Sequence, residues 1–318
     1  MRTARKRARK KRARKKVVVI VNPNAGFFAN AHAFDDISMR KEHSLRDFTQ
    51  NVIDFFYNQN IEVQIKVTKK PLDAVRFARQ AANKVSLVIA AGGDGTINEV
   101  INGLAKSRTA LGILPLGTEN AFGRELHIPL DYKRALRRIT TGKSKMYDLG
   151  LANKRYFLMM AGVGFDAHAA SQVRPYLKRL LGRGSYHLTA IKTFFTHSPK
   201  LLRIWIDDQV LPRWGYFVVA GNIKYYGGNI RMTPYARPDD GFLDVCIFKN
   251  KDIFNMMKYF IGAAYKGTHV EFSDIEYFRC RQLRVESEGR ALGHTDAEII
   301  GMTPIDIRIV PRALMIIC

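Results

Sequence analysis

Cysteine is scarce in this sequence, and no apolar run is long enough to cross a membrane. The three cysteines, Cys246, Cys280 and Cys318, are widely spaced and odd in number, without a CxxC pair or the spacing of metal ligands. This pattern excludes a disulfide-stapled scaffold and favours reduced thiols in a reducing compartment. The charged start leads only into the short run Val17–Val21, whereas a membrane-spanning helix needs about 18 apolar residues. We therefore expect neither a transmembrane span nor a signal peptide.

Acidic residues are absent from the first 16 positions, which contain 11 Lys or Arg. We predict that residues 1–16 form a disordered basic tail. Removing these 11 from the 52 basic residues of the chain leaves 41 against 28 acidic ones, so the remainder keeps a net charge of +13. Such a charge favours polyanionic surfaces, but charge alone does not separate nucleic acid from anionic lipid.

Two common nucleotide-binding fingerprints are also missing. There is no GxxxxGK[ST] string, which excludes a Walker-type P-loop, and no GxGxxG followed about 20 residues later by a ribose-binding acid. The chain of 318 residues is nevertheless long enough for two domains with separate cores.

Short apolar strands alternate with amphipathic helices from residue 17 to about residue 145. The strands are predicted at 17–21, 61–67, 85–91 and 110–114. The helices are predicted to start at Ser44 as an N-cap, at Pro71, and at Thr96 with Glu99 completing a capping box. Two further helices are predicted near 120–126 and 131–140. This succession predicts a parallel sheet covered by helices on both faces.

After about residue 145 the pattern changes to short strands separated by Gly, Pro, Asn and Asp, which predicts a second, mostly antiparallel β domain. Two helices are predicted there, one over about 185–196 and one after Asp252. The second helix carries an apolar stripe in which Met256 and Met257 are interpreted as core residues rather than ligands.

Polar or glycine-rich loops follow three of the predicted parallel strands. They are "NPNAG" at 22–26, "GGDG" at 92–95 and "LGTEN" at 116–120. Glycines let a ligand approach the main chain, and the amino end of a helix favours an anion such as phosphate. A tight turn explains one such loop equally well, but three loops at the ends of neighbouring strands favour a ligand crevice.

The motifs of the whole chain from Val17 to its end resemble the diacylglycerol-kinase catalytic-domain family, soluble lipid kinases that include sphingosine and ceramide kinases. The resemblance rests on the three loops with "GGDGTINEVINGL" and "LPLGTENAFGRELHIP", and on "YDLG", "AGVGFDA", "GNIKYYGGNIRMTPYARPDDGFLDV" and "DAEIIGMTPIDIRIVPRALMII". It implies a doubly wound α/β nucleotide-binding domain over 17–145 and a β-sandwich-like lipid-substrate domain over 146–303. A cleft would separate them, and a segment of about 304–318 would return to the first domain.

The resemblance implies ATP and Mg²⁺ as cofactors. The loops and the resemblance together predict ATP contacts, of which Thr68 comes from the resemblance alone. These contacts are Asn22, Pro23, Asn24, Ala25, Gly26, Thr68, Gly92, Gly93, Asp94, Gly95, Thr96, Ile97, Asn98, Glu99, Gly117, Thr118 and Asn120.

The resemblance also implies the catalytic groups. Asp296-Ala297-Glu298 matches a D-G-E sequence in which the glutamate is the general base, so Glu298 is the implied base and Asp94 the residue that organises metal and water. Glu286 and Glu288 in "ESEG" are competing acids that lack the flanking match. A second, structural Mg²⁺ is implied at Asp240, with the main-chain oxygens of Arg237 and Phe242.

Two positions depart from the family pattern. Many members have an aspartate where this chain has Ala121, which puts the arrangement of the active-site metal in question. Ala297 replaces the glycine of D-G-E, and this is harmless only if the backbone there has a negative φ.

A segment from Ala167 to Ile206 contains no acid and alternates basic with apolar residues, as suits an anionic bilayer surface. A pair of basic helices packed on the sandwich explains it equally well. The expected partners are a lipid substrate, an anionic membrane met peripherally from the cytoplasm, and a second copy of the chain. No specific nucleic acid is expected.

Two other functions stay open at this point. The chain could be a kinase of a soluble substrate, because NAD kinases resemble it at "GGDG", although "NPNAG" and "DDGFLDV" favour the lipid branch. It could also be a non-catalytic basic protein that binds nucleic acid through its tail. No RNP-like motif, zinc spacing or aromatic platform supports base recognition.

Overall fold

The computed structural model describes residues 16–29, 37–164, 199–227 and 230–318. Its helices are α1 Gly26–Ala29, α2 Ile37–Tyr57, α3 Asp73–Ala81, α4 Asp94–Leu104, α5 Ala121–Glu125, α6 Tyr132–Thr141 and α7 Ile253–Ala264, with a 3-10 turn at Thr268–Glu271. Its strands are β1 Lys16–Val21, β2 Glu62–Val67, β3 Leu87–Gly92, β4 Ala110–Pro115, β5 Ser144–Ala152, β6 Arg155–Phe157, β7 Met160–Gly164, β8 Leu202–Ile206, β9 Arg213–Gly215, β10 Phe217–Gly221, β11 Tyr225–Gly227, β12 Ile230–Arg231, β13 Leu243–Phe248, β14 Ile275–Cys280, β15 Gln282–Ser287, β16 Leu292–Thr295, β17 Glu298–Met302 and β18 Ile305–Ile317.

The predicted basic tail lies outside the described residues, except for Lys16. The helix predicted at 185–196 and most of the membrane-facing segment predicted from Ala167 also lie outside them.

Strands β2, β1, β3 and β4 lie side by side in that order and run parallel. Their apolar runs are buried, since every residue from Val17 to Val21 is at most 4% exposed. Continuous apolar strands of this kind form parallel sheets that helices cover on both faces. The predicted α/β class of the N-terminal part is therefore confirmed.

The first sheet does not stop at β4. Its next strand is β18, which pairs in parallel with β4 at Ile316 and Leu111 and runs antiparallel to β5 along most of its length. The sheet then continues through β15, β8 and β9 to a total of ten described strands. The division at about residue 145 stays a prediction, because β5 and β18 join both halves of the chain in one sheet.

A second sheet has the strand order β14-β13-β10-β7-β16-β17 and is antiparallel. Its apolar side chains, such as Val163 and Val218, share one buried core with Ile204, Val285 and Ile307 of the first sheet. Two sheets packed face to face in this way form a sandwich. The predicted β-sandwich-like C-terminal part is confirmed.

The predicted start of a helix at Ser44 is wrong. Helix α2 begins at Ile37, and Ser44 lies inside it. The sequence "MRKEH" just before Ser44 consists largely of good helix formers, so the helix extends through them. The predicted apolar face is correct, because Phe48, Val52 and Phe56 are at most 2% exposed.

The predicted start of the third helix at Thr96 is also wrong. Helix α4 begins at Asp94, and Glu99 does not close a capping box in it. The Glu99 carboxylate instead accepts hydrogen bonds from the backbone N–H groups of Leu72 and Ala74, at 3.1 and 3.2 Å. Glu99 therefore caps the neighbouring helix α3, whose first N–H groups would otherwise lack acceptors.

Helix α7 begins after Asp252, as predicted, and the Asp252 side chain accepts a hydrogen bond from the backbone N–H of Asn255 at 3.0 Å. The interpretation of two core methionines is correct only for Met256, which is 4% exposed, because Met257 is 56% exposed. No helix among the described residues is both long and apolar enough to cross a bilayer.

Candidate active site

The three polar or glycine-rich loops meet at the carboxyl edge of β1, β3 and β4. A Cβ atom on Gly117 would lie 2.5 Å from the Cα of Gly93, and one on Gly26 would lie 2.9 Å from the Oγ1 of Thr118. The backbone N–H of Leu116 also donates to the Gly92 carbonyl at 2.9 Å. Side chains at these glycines would separate the loops, so the glycines are required by loop-to-loop contact.

Asn22 fastens the first loop to the second. Its Nδ2 donates to Thr96 Oγ1 at 3.0 Å, and its Oδ1 accepts from the backbone N–H of Asn24 at 2.9 Å. Thr68 lies at the same edge, because its backbone N–H donates to the carbonyl of Val21 at 2.9 Å. The structure thus brings Thr68 to the loops, although the residues around it gave no signal of this.

Asp94 lies in the first turn of α4 and faces the start of α5. Its carboxylate accepts hydrogen bonds from the backbone N–H groups of Ala121 and Phe122, at 3.1 and 3.2 Å. Asn120 closes the turn before them, since its Oδ1 accepts from the N–H of Gly117 at 2.8 Å and its Nδ2 donates to the carbonyl of the same residue at 2.8 Å. Ala121 therefore contributes a backbone donor to Asp94, and its own side chain is buried.

Glu298, the implied base, lies beside the glycine-rich turn. A Cβ on Gly95 would be 3.7 Å from Glu298 Oε1, so little separates the carboxylate from the backbone at the amino end of α4. The Glu298 side chain is 44% exposed and forms an ion pair with Arg155. The structure therefore places a carboxylate that solvent can reach next to the site where a helix terminus favours an anion.

A chain of polar contacts connects Glu298 to the core. Nη2 of Arg155 donates both to Glu298 and to Asn98 Oδ1, the latter at 3.1 Å. Nδ2 of Asn98 donates to Asp296 Oδ2 at 2.6 Å. Asn98 is 3% exposed and its side chain contacts protein groups, so the structure does not direct it into the crevice as an ATP contact would require.

Asp296 anchors the turn that carries Glu298. Its carboxylate accepts hydrogen bonds from the backbone N–H groups of Leu158, Met159 and Met160, each at 3.0 Å. Burial raises the pKa of the Asp296 carboxyl, and the hydrogen bonds from Leu158 and Met160 oppose that rise.

The backbone of this turn is left-handed at two successive residues. Asp296 has φ 48° and Ala297 has φ 66°. The condition under which Ala297 would be harmless, a negative φ, is therefore not met, and an alanine in this region costs about 1 kcal/mol relative to a glycine.

The implied structural Mg²⁺ site at Asp240 is occupied by protein groups. Asp240 Oδ2 pairs with Arg279 at 2.5 Å, and its Oδ1 accepts from the N–H of Phe242 at 3.1 Å. Arg279 also approaches the buried Asp244, whose pKa is raised by burial. The guanidinium already supplies the positive charge that a metal would bring, so the groups as they stand do not fit a Mg²⁺ ion. Within the described ranges, no group of three His, Cys, Asp or Glu side chains could hold a metal.

Comparison with known proteins decides the family. Residues 16–152 match the model of the diacylglycerol kinase catalytic domain, and residues 159–318 match that of the YegS C-terminal NAD kinase beta sandwich-like domain. The chain belongs to the diacylglycerol kinase catalytic-domain family. Membership makes it a diacylglycerol kinase-like lipid kinase, a phosphotransferase with an alcohol acceptor that uses ATP.

Relatives of this kinase match along nearly its full length. It is 28% identical over 294 residues to a diacylglycerol kinase of Staphylococcus saprophyticus, covering 92% of this chain and 91% of that protein. A diacylglycerol kinase of Staphylococcus aureus is 29% identical over 294 residues, covering 92% of this chain and 88% of that protein.

Solved structures from Bacillus anthracis are also similar to this kinase. A diacylglycerol kinase superposes with a TM-score of 0.68 at 25% identity and covers 96% of this chain and 98% of that one. Another Bacillus anthracis protein gives a TM-score of 0.77 at 28% identity, with 98% and 97% covered. The sandwich and the α/β part of the kinase therefore occur together in solved relatives.

Sequence reasoning missed Arg155 and the anchoring role of Asp296 in this kinase. Arg155 follows the turn at Asn153, which has φ 51°, and begins the short strand β6. Nothing local marks it, because its partners Asn98 and Glu298 are remote in the sequence. Asp296 could have been found, since a carboxylate two residues before an implied base is a natural candidate to support it.

Proposed function

We propose that this kinase transfers the γ-phosphate of ATP to the hydroxyl of a diacylglycerol-like or a sphingoid- or ceramide-like lipid, with Glu298 as the general base. The observation that carries the proposal is the position of the Glu298 carboxylate beside Gly95, at the amino end of α4. A base is useful only where the attacking hydroxyl and the phosphoryl group meet, and the helix terminus is where a phosphate would bind.

The proposed ATP site is the crevice between the three loops. Backbone N–H groups of Gly26, Gly93–Thr96 and Thr118 would face the phosphates, and the dipole of the eleven-residue helix α4 would favour their charge. The close approach of Gly93 and Gly117 supports this proposal, because it leaves the main chain uncovered by side chains at that point.

Mg²⁺ is part of the proposal at the phosphates rather than at Asp240. The oxygen donors of Asp94 and Glu298 near Gly95 are of the type that Mg²⁺ prefers, and Asp94 is held in place by the N–H groups of Ala121 and Phe122. When bound with ATP, the ion would neutralise charge on the phosphoryl oxygens.

The chain's own residues would perform the remaining steps. Glu298 would accept the proton of the lipid hydroxyl as the hydroxyl oxygen attacks the γ-phosphorus of ATP and ADP leaves, while Arg155 holds the Glu298 carboxylate at the edge of the crevice. Asp296 would fix the turn that carries Glu298 through its hydrogen bonds with the backbone of Leu158–Met160. The proposal also includes peripheral contact with an anionic membrane from the cytoplasm, which the lipid substrate and the basic composition support. A homodimer belongs to the same proposal.

The test is transfer of labelled phosphate from ATP to diacylglycerol, ceramide, a sphingoid base and a polyprenol in mixed micelles with Mg²⁺, with NAD as a soluble acceptor. We expect a labelled lipid whose formation falls by about 10²- to 10⁴-fold in Glu298→Gln and is unchanged in Glu288→Gln. If only NAD becomes labelled, the substrate is a soluble molecule and not a lipid. Equal losses of activity in Glu298→Gln and Glu288→Gln would show that Glu298 is not the general base.

A further inference from the structure

Helix α7 exposes a stripe of large apolar side chains. Phe254, Met257 and Ile261 are 81%, 56% and 65% exposed, and Tyr265, just after the helix, is 67% exposed. Their spacing of three and four residues places them on one face. We call these four residues the α7 stripe.

The opposite face of the same helix is already buried. Met256, Tyr259 and Ala263 are at most 4% exposed and belong to the main core. The helix is therefore apolar on two faces, and the residues that the structure describes cover only one of them. A contiguous exposed apolar surface of this kind marks an interaction site.

Basic groups border the α7 stripe. Residues 253–264 contain no acid, and Lys251, Lys258 and Lys266 lie within and beside the helix. Nζ of Lys258 lies 4.3 Å from the ring centre of Phe272 and 3.9 Å from Asp274 Oδ1, so this ammonium is shared between an aromatic ring and one acid, whereas Lys251 and Lys266 are exposed. Of the two acids between residues 251 and 272, Asp252 is engaged as the helix cap and Glu271 is exposed.

The position of α7 relative to the candidate active site also matters. The helix packs on β12, whose partner strand β11 packs on α5 beside the crevice. The ring of Tyr226 in β11 lies 6.1 Å from that of His294, which accepts a hydrogen bond from the N–H of Ala297 in the turn that carries Glu298. The antiparallel strands β11 and β12 therefore connect helix α7 both to α5 and to the turn that carries Glu298.

The geometry points to the α7 stripe as the surface that docks this kinase on an anionic lipid bilayer. An apolar face with a lysine rim matches the acyl boundary and the phosphate headgroups of such a surface. Pairing with a second copy through a two-fold axis is less favourable, because it would place the three lysines of each copy near those of the other. The inference rests on the proposed function, since a kinase that phosphorylates a lipid has to meet the bilayer that holds its substrate.

The test measures sedimentation of the full chain with vesicles of equal parts phosphatidylcholine and phosphatidylglycerol. The variant is Phe254→Ser with Ile261→Ser, and Met257→Glu is an independent second variant. The control replaces Val210 and Leu211 by Ser, two side chains that are 90% and 78% exposed between β8 and β9. All proteins keep the same basic tail, so its attraction to the vesicles is common to every sample.

We expect the stripe variants to lose about 10- to 100-fold in vesicle partitioning, as the exposed apolar area predicts, and the control to bind like the wild type. Phosphorylation of a short-chain diacylglycerol dissolved as monomers should be unchanged in the stripe variants. Unchanged partitioning, or a dimer of the wild type that dissociates in the variants while vesicle binding persists, would overturn the inference. Because partitioning needs no turnover, a failure of the proposed function would appear separately, as absence of labelled lipid in the wild type.

Discussion

Arg155→Met removes the positive charge and the Nη2 donor that hold Glu298, while the methionine preserves much of the apolar stem. The effect on stability should be small. The two side chains are 25% and 44% exposed, and ion pairs in such surroundings contribute about 0–1 kcal/mol. Asn98 Oδ1 keeps a donor, because Nδ2 of Asn102 lies 3.2 Å from it. No buried acceptor is therefore left without a partner.

The effect on turnover should be much larger than the effect on stability. Without Arg155 the Glu298 side chain is free to leave the edge of the crevice, and a misplacement of about 1 Å in a catalytic group costs on the order of 10²-fold in rate. We expect kcat to fall by about 10- to 100-fold and KM for ATP to stay within about twofold, because the loops that would bind ATP are not touched. Arg155→Lys keeps the charge on a shorter side chain with a different donor geometry, so its kcat should be intermediate.

The assay is phosphate transfer to the accepted lipid at saturating ATP, with unfolding in urea measured on the same samples. Arg284→Met is the matched control, since Arg284 on β15 also connects two side chains, Glu286 and Asp306, in an exposed setting and contacts none of the three loops in the described contacts. If Arg155→Met and Arg284→Met lower kcat equally, or if Arg155→Met lowers it only in proportion to lost folded protein, the positioning argument is refuted.

Further predictions concern the backbone and pH. Ala297→Gly should stabilise the protein by about 0.5–1 kcal/mol in urea unfolding by relieving the positive φ, whereas Ala82→Gly, at φ −51°, should destabilise it; equal losses would contradict this. Gly117→Ala should weaken ATP binding by about tenfold in a titration, because the new Cβ would lie 2.5 Å from Gly93 Cα; unaltered affinity would argue against the proposed crevice. Hydrogen bonds from the Arg76 side chain and the Lys69 backbone hold the pKa of Asp73 at about 2, so its contribution is present above pH 3.8 and lost as pH falls towards 2. The difference in free energy of unfolding between wild type and Asp73→Asn should therefore shrink over that range in urea titrations. A constant difference would show that the Asp73 carboxylate does not cause the pH dependence.

The parts of the fold that depend on local pattern could be predicted from the sequence. Buried strands such as β1 and the three loops after them follow from apolar runs and glycines, and the structure brings those loops together. Helix starts were less predictable. Thr96 and Glu99 have the spacing of a capping box, yet Glu99 caps α3 instead, because the distance to a neighbouring helix is set by packing and not by spacing along the chain.

The polar support of the candidate site could not be predicted for the same reason. Arg155, Asn98 and Asp296 come from β6, α4 and the turn before β17, and they meet only because the two sheets pack together. The positive φ of Ala297 could likewise not be predicted from the sequence, since an alanine gives no sign that its backbone is left-handed. The glycine of the family pattern acquires its physical reason only from the observed turn.

The place of β18 in the first sheet has a consequence for how the chain folds as it leaves the ribosome. Leu111 of β4 pairs with Ile316 of β18, a residue that is translated long after it. Strand β5 also pairs with β18 and therefore meets its partner equally late. Until residues 305–317 emerge, the apolar edge of the nascent sheet has no neighbour and offers a template for mispairing. Loop closure over so many residues is slow, so we expect the α/β part to complete its folding after translation and to be most exposed to aggregation and to chaperones in that interval.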